Sequence, residues 1–482
     1  MSSIGGKIVS GAMWTAVETW GQQLMLFLVF VVLAHLLGPE AIGLATMALV
    51  APIILAVPVT RGIPEAIIQR PDIDPEHLDS AFWLLAGAGA ALSALVILLA
   101  GPIAYAFDQP VLEDLVRCTG LLVFIQSLAG VPIAILKRHL NFRILTLRTL
   151  CATIAGGVVG ISLAIHGYGV WSLIWMQLAK CTVEFVVLLW GTAWRPRMYF
   201  SYARCKDLFG FAGPIVGFSL WQFVNDEMPK VILGAVIGPS AVGIYQLARR
   251  PLEVVTSAFL APLTAMAMPA VARMQSDRAK IDQFFNSSIR VAVVVCFPAY
   301  MGLAAIAPEA VPLVFGDHWS EAVLAVQIIM LLGLVRTVDG IAGGTVLAIG
   351  RSDLIFKFNV IYTFMGAATM LAAAQIGLEA VIAAIVFCNA ALVPPFLYYT
   401  RKLTGINVLR PLAILPRVAI ATGLMMIAVN AWRVAGADLM LDPVVIVAGA
   451  IVLGGLVYGL VSVVLIRPDL LAARAMLLKA RG

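Results

Sequence analysis

The chain has 482 residues, 62% of them hydrophobic and only 12% charged, with a mean hydropathy of +1.00. So little polar surface cannot clothe an apolar interior in water, which excludes a soluble globule and points to a polytopic membrane protein. The net charge of +6 does not read as nucleic-acid binding, because Lys and Arg are divided among short connections and form no solvated basic face.

Stretches long enough to cross roughly 30 Å of hydrocarbon follow one another from the N-terminus. Fourteen are expected, at about 8–37, 41–60, 80–106, 115–136, 149–166, 169–191, 208–236, 241–265, 288–309, 322–349, 355–376, 378–399, 411–432 and 442–466. The first is too long for the core of a signal peptide and stays as the first helix. The basic clusters Lys137, Arg138, Arg143, Arg148; Arg195, Arg197, Arg204, Lys206; Arg273, Arg278, Lys280, Arg290; and Arg401, Lys402, Arg410 fall on one side of the membrane. By the positive-inside rule that side, with both termini, is cytoplasmic. The opposite connections at Gly38-Pro39, residues 166–169 and Gly238-Pro239 are tight turns with little charge. Residues 467–482 alternate leucines with Arg474, Lys479 and Arg481, the pattern of an amphipathic helix anchored on the inner leaflet.

An internal repeat orders these elements. Gly38, Pro39, Ala41 and Gly43 recur as Gly238, Pro239, Ala241 and Gly243, with Gln22 matching Gln222, all at an offset of 200. Further on, Ala129-Gly130 resembles Ala342-Gly343. The expected fold is all-α, with two six-helix lobes at 1–200 and 201–400, then two more helices and the tail at 401–482. Repeat-built transporters place substrate between such halves.

Ionisable residues inside spans are costly and normally face protein or a wet cavity. The seventh span carries Gln222, Asp226, Glu227 and Lys230; the eighth carries Gln246, Arg249, Arg250 and Glu253. Matching stripes hold Glu18 and Gln22, then Gln177, Lys180 and Glu184, then Arg336 and Asp339. Self-neutralised pairs (Asp226 with Lys230, Lys180 with Glu184, Arg61 with Glu65) are the structural alternative. Arg249 and Arg250, however, outweigh Glu253, and guanidinium grips phosphate oxygens bidentately. Arg249, Arg250, Lys230 and Arg336 are therefore the expected contacts of an anionic, phosphorylated substrate. Glu18, Asp226, Glu227, Glu253 and Asp339 are the candidate cavity carboxylates for proton or sodium coupling, with Gln22 and Gln222 as polar lining. Six scattered cysteines and five histidines offer no metal site, and Asp72-Ile-Asp74, which has the form of a sugar-transferase metal motif, sits in an acidic loop that reads as a solvated face.

The opening Gly11-x-x-Trp14-x-x-x-Glu18-x-x-Gly21-Gln22, then Leu36-Leu37-Gly38-Pro39 with Gly43-Leu44, then Ile67-Ile68-Gln69-Arg70 and Ala81-Phe82-Trp83, resembles the Wzx-type polysaccharide flippases. Within the multidrug/oligosaccharidyl-lipid/polysaccharide exporter superfamily, the likeness is to the colanic-acid-exporter branch. It implies a fold like that of the multidrug and toxin exporters of the same superfamily, and a bacterial inner-membrane carrier with no catalytic residues and no cofactor. The implied substrate is an undecaprenyl-diphosphate-linked oligosaccharide, moved by alternating access for exopolysaccharide or lipopolysaccharide synthesis. The implied partners are membrane lipids and the polymerase and chain-length regulator of the same pathway. A cation-coupled multidrug antiporter is the alternative within the superfamily; a polytopic glycan polymerase or transferase is the alternative outside it.

Overall fold

A computed structural model describes residues 4–70, 72–265, 271, 274, 277–405 and 410–465; the amphipathic tail expected at 467–482 lies outside the described residues. All regular structure among the described residues is helical. The long helices are α1 (Ile4–Leu36), α2 (Pro39–Thr60) with its short continuation α3 (Ile63–Gln69), α4 (Pro75–Ala106), α5 (Val111–Arg138), α6 (Phe142–Ile165), α7 (Val170–Gly191), α8 (Tyr202–Val236), α9 (Pro239–Val255), α10 (Arg278–Phe315), α11 (Ala322–Ala348), α12 (Ser352–Ala374), α13 (Leu378–Thr404), α14 (Leu415–Asp438) and α15 (Pro443–Leu465). Twelve spans among the described residues are long and apolar enough to cross a membrane. The other two of the fourteen expected are α8 and α9, the helices that carry the mid-span charges; α9 runs on into a π-helical turn at Thr256–Leu260.

The chain divides into two compact units, Met1–Gly243 and Ile244–Gly482. In the first, α4 packs on α5, α6 on α7, α1 on α6, and α2 on α5 and α8. The two Gly-Pro turns of the repeat meet here reciprocally. A Cβ on Gly43 would lie 1.8 Å from the Pro239 carbonyl oxygen, and one on Gly243 would lie 1.9 Å from the Pro39 carbonyl oxygen. Glycine is required at both places because backbone touches backbone.

At the other end of the unit, the acidic loop before α4 is bound to the connection before α8. Asp74 N-caps α4 in a capping box with His77, and Arg204 pairs with Asp74 and Glu76, both at 3.2 Å. The Arg197 and Ser201 amides donate to Asp79 and Ser80, and Trp83 Nε1 donates to the Arg197 carbonyl at 2.7 Å. The DxD-like motif thus supplies a helix cap and an ion pair.

The second unit is built round α10, against which α11, α14 and α15 pack. Tyr300 of α10 is fully buried, its ring occupying the space a side chain at Gly333 would need, and its hydroxyl is 2.9 Å from that of Thr256. The last two helices are seated by Ala305, Ile306, Met425, Val429 and Ala450. Polar ties fix them: Arg433 to Glu309 at 2.8 Å, and the Tyr458 hydroxyl donating to the Val294 carbonyl at 2.6 Å.

Candidate functional site

Each unit holds a polar chamber on the same part of the repeat. In the first unit, α5 presents Gln126, Gly130, Ile133 and Lys137 on one stripe at i, i+4, i+7 and i+11. Facing it are Phe142, Leu145 and Arg148 of α6, Thr15 and Glu18 of α1, and Arg61, Glu65 and Phe223, enclosing about 450 Å³. In the second unit, α11 presents Arg336, Asp339 and Gly343 toward Ile355, Phe358 and Asn359 of α12 and Asn389 of α13, enclosing about 110 Å³. Gln126, Gly130, Phe142 and Leu145 of the first chamber correspond to Asp339, Gly343, Ile355 and Phe358 of the second at a constant offset of 213. The chambers are repeat equivalents with different chemistry.

The first chamber is cationic, with Arg61, Lys137 and Arg148 against Glu18 and Glu65. Glu18 accepts a 2.7 Å hydrogen bond from Thr149 and lies 3.8 Å from the Arg148 guanidinium. Arg148 in turn donates to Thr149 at 3.0 Å, while its Nε is enclosed without a hydrogen-bond partner. Arg61 and Glu65 pair at 3.6 Å, leaving Glu65 Oε2 enclosed and unpartnered. Lys137 makes no ion pair among the described residues. Beside the chamber, the Arg143 guanidinium lies 6.0 Å from the Trp14 ring centroid. Such a set offers charge-assisted donors to an anion with a carboxylate close by.

Of the residues singled out in the sequence, Glu18 lines the first chamber and Arg336 and Asp339 the second. Arg249 and Arg250 share one carboxylate, their nitrogens 3.4 and 3.2 Å from the two oxygens of Glu253, and Arg249 also lies 5.8 Å from the Tyr245 ring centroid. Lys230 pairs with Glu227 at 2.7 Å and not with Asp226, which is exposed, as is Gln222. Gln22 is partly buried and lines neither chamber. Lys180 and Glu184 form no ion pair among the described residues. Sequence reasoning missed Lys137 and Arg148, which it used only to orient the chain; the stripe from Gln126 to Lys137 was the signal that could have found them.

The fold and chambers define a polytopic helical membrane protein built from a duplicated unit. The chain belongs to the polysaccharide biosynthesis protein family, whose model matches residues 32–324. It is 28% identical over 370 residues to the lipopolysaccharide biosynthesis protein WzxC of Escherichia coli (strain K12), covering 75% of this chain and 74% of that one. It is 26% identical over 309 residues to the succinoglycan biosynthesis transport protein ExoT of Rhizobium meliloti (strain 1021), covering 64% and 63%. Among solved structures, the lipid II flippase MurJ in its inward closed conformation matches with a TM-score of 0.79 over 95% of this chain and 99% of that one, at 12% identity, a likeness of fold.

Proposed function

We propose that the protein translocates undecaprenyl-diphosphate-linked oligosaccharides across the bacterial inner membrane by alternating access, with both termini in the cytoplasm, and performs no chemistry on them. The observation that carries this reading is the first chamber, where three cations face two carboxylates in about 450 Å³. A diphosphate satisfies the excess charge there and the unpartnered Arg148 Nε. Arg249 and Arg250, with Lys230 and Arg336, are kept as further contacts for the same anion. The repeat boundaries at 200 and 400 are kept as the limits of the duplicated lobes, and the pathway's polymerase and chain-length regulator as partners. A multidrug antiporter for cationic compounds fits a chamber of the opposite balance.

Asp339, set with Asn359 and Asn389 in the smaller chamber, is the preferred site for proton or sodium coupling, with Glu18 as the alternative. The deciding experiment places a fluorescent undecaprenyl-diphosphate oligosaccharide on one leaflet of a liposome. Wild type should exchange it; Lys137→Gln/Arg148→Gln should lose about ten- to a hundredfold, the value of one or two charge-assisted hydrogen bonds. Exchange by that variant at the wild-type rate would remove the chamber from the mechanism. Arg249→Gln/Arg250→Gln tests the second cation pair by the same readout.

A further inference from the structure

A third recess lies in the second unit, along the C-terminal half of α13, with Val393 as the residue it shares with the smaller chamber. It is lined by Val393, Pro394, Leu397, Tyr398, Arg401, Lys402 and Leu412, with a volume of about 630 Å³, within the range of about 300–1,000 Å³ usual for small-ligand sites. Its lining is graded. Val393, Pro394, Leu397 and Leu412 are apolar, Tyr398 follows one turn on with its side chain exposed, and Arg401 and Lys402 close one end. From Pro394 to Arg401 the stripe rises about 10 Å along the helix. That is the polarity of a phospholipid: chain, interface, phosphate.

The charges sharpen the match. Arg433, Arg204, Arg148 and Lys230 each have a carboxylate partner, whereas Arg401 and Lys402 make no ion pair among the described residues. Two adjacent cations left uncompensated beside an apolar groove, at the last turn of a span, call for an anion that comes with a hydrophobic body. The Pro394 ring adds an apolar surface to the wall of the recess where a chain would lie.

We infer that this groove holds one anionic diacyl phospholipid, its phosphate on Arg401 and Lys402 and an acyl chain along Val393, Pro394 and Leu397. The site is a resident lipid site, separate from the transported substrate. The test uses the purified full-length protein in detergent, titrated with dioleoyl phosphatidylglycerol, dioleoyl phosphatidylcholine, undecaprenyl phosphate and inorganic phosphate, and read by native mass spectrometry. Phosphatidylglycerol should bind tightest. Arg401→Gln/Lys402→Gln, both at exposed positions, should weaken it about 30-fold, the worth of two basic residues at a membrane surface. Leu412→Trp, which narrows the groove without touching the smaller chamber and keeps the cations, should weaken phosphatidylglycerol and leave inorganic phosphate unchanged. Equal binding of phosphatidylcholine, tighter binding of undecaprenyl phosphate, or phosphatidylglycerol binding indifferent to both variants would each overturn the assignment.

Discussion

Lys230 stands within one helical turn of two carboxylates and takes Glu227, with only 11% and 7% of the two side chains exposed. An ion pair so enclosed contributes little net stability, yet removing one partner strands the other charge. Lys230→Met should therefore cost about 3–5 kcal/mol, whereas Lys230→Met/Glu227→Leu should recover most of the loss. The midpoint of thermal unfolding in detergent, compared across the two variants, checks this; equal losses would mean that the pair is not what matters. Sequence spacing offers Asp226 as the partner of Lys230, and the structure chooses Glu227 instead; both spacings bring side chains together on a helix, so spacing alone does not decide between them. Arg148 was hidden for a different reason. Its chamber partner Glu18 is far off in the chain, and local pattern carries no signal of contacts between distant segments.

Elements here were legible where a single residue type has a backbone reason. The recurrence of Gly43 at Gly243 could be read as a repeat, but the cause of the recurrence is a mutual close approach, with each glycine set on the other turn's proline carbonyl. Gly243→Ala should cost about 1–3 kcal/mol, the usual range for overpacking, and Gly43→Ala a similar amount. Gly38→Ala is the control. Nothing lies within 4 Å of a Cβ there and its backbone is extended, so its effect should be near zero. Unfolding midpoints that rank the three variants in any other order would mean that the turns yield where they touch. The acidic loop before α4 shows the opposite case. Composition suggested a solvated face, and Asp72, Asp74 and Glu76 are exposed; what it could not show is that Arg204 and the 197–201 backbone tie the loop down through Asp74, Glu76, Asp79 and Ser80, which depends on where the chain returns.

Across the molecule, the two chambers align at a constant offset of 213, and their linings differ in charge. Gln126 and Asp339 are equivalent positions, so an acidic group stands in the small second chamber where the first has a neutral amide. The first chamber gathers its cations from the C-cap of α2, from α5 and from α6, while the second is lined by Arg336 as its one cation among the described residues. Composition and span count made the membrane fold legible, and the repeat made the duplication legible. The asymmetry of the chambers was not, because it appears only when the two linings are set side by side. It predicts a separation of phenotypes. Lys137→Gln/Arg148→Gln should raise the substrate concentration needed for half-maximal exchange and leave the response to proton or sodium gradients intact. Asp339→Asn should leave substrate affinity as it is and abolish the acceleration that a gradient produces, because a neutral amide neither titrates nor balances a bound cation. The measurement is initial exchange rate in liposomes against substrate concentration, with and without an imposed gradient. If Asp339→Asn shifted substrate affinity and kept the gradient response, the second chamber would belong to substrate binding, and the coupling site would have to be sought at Glu18.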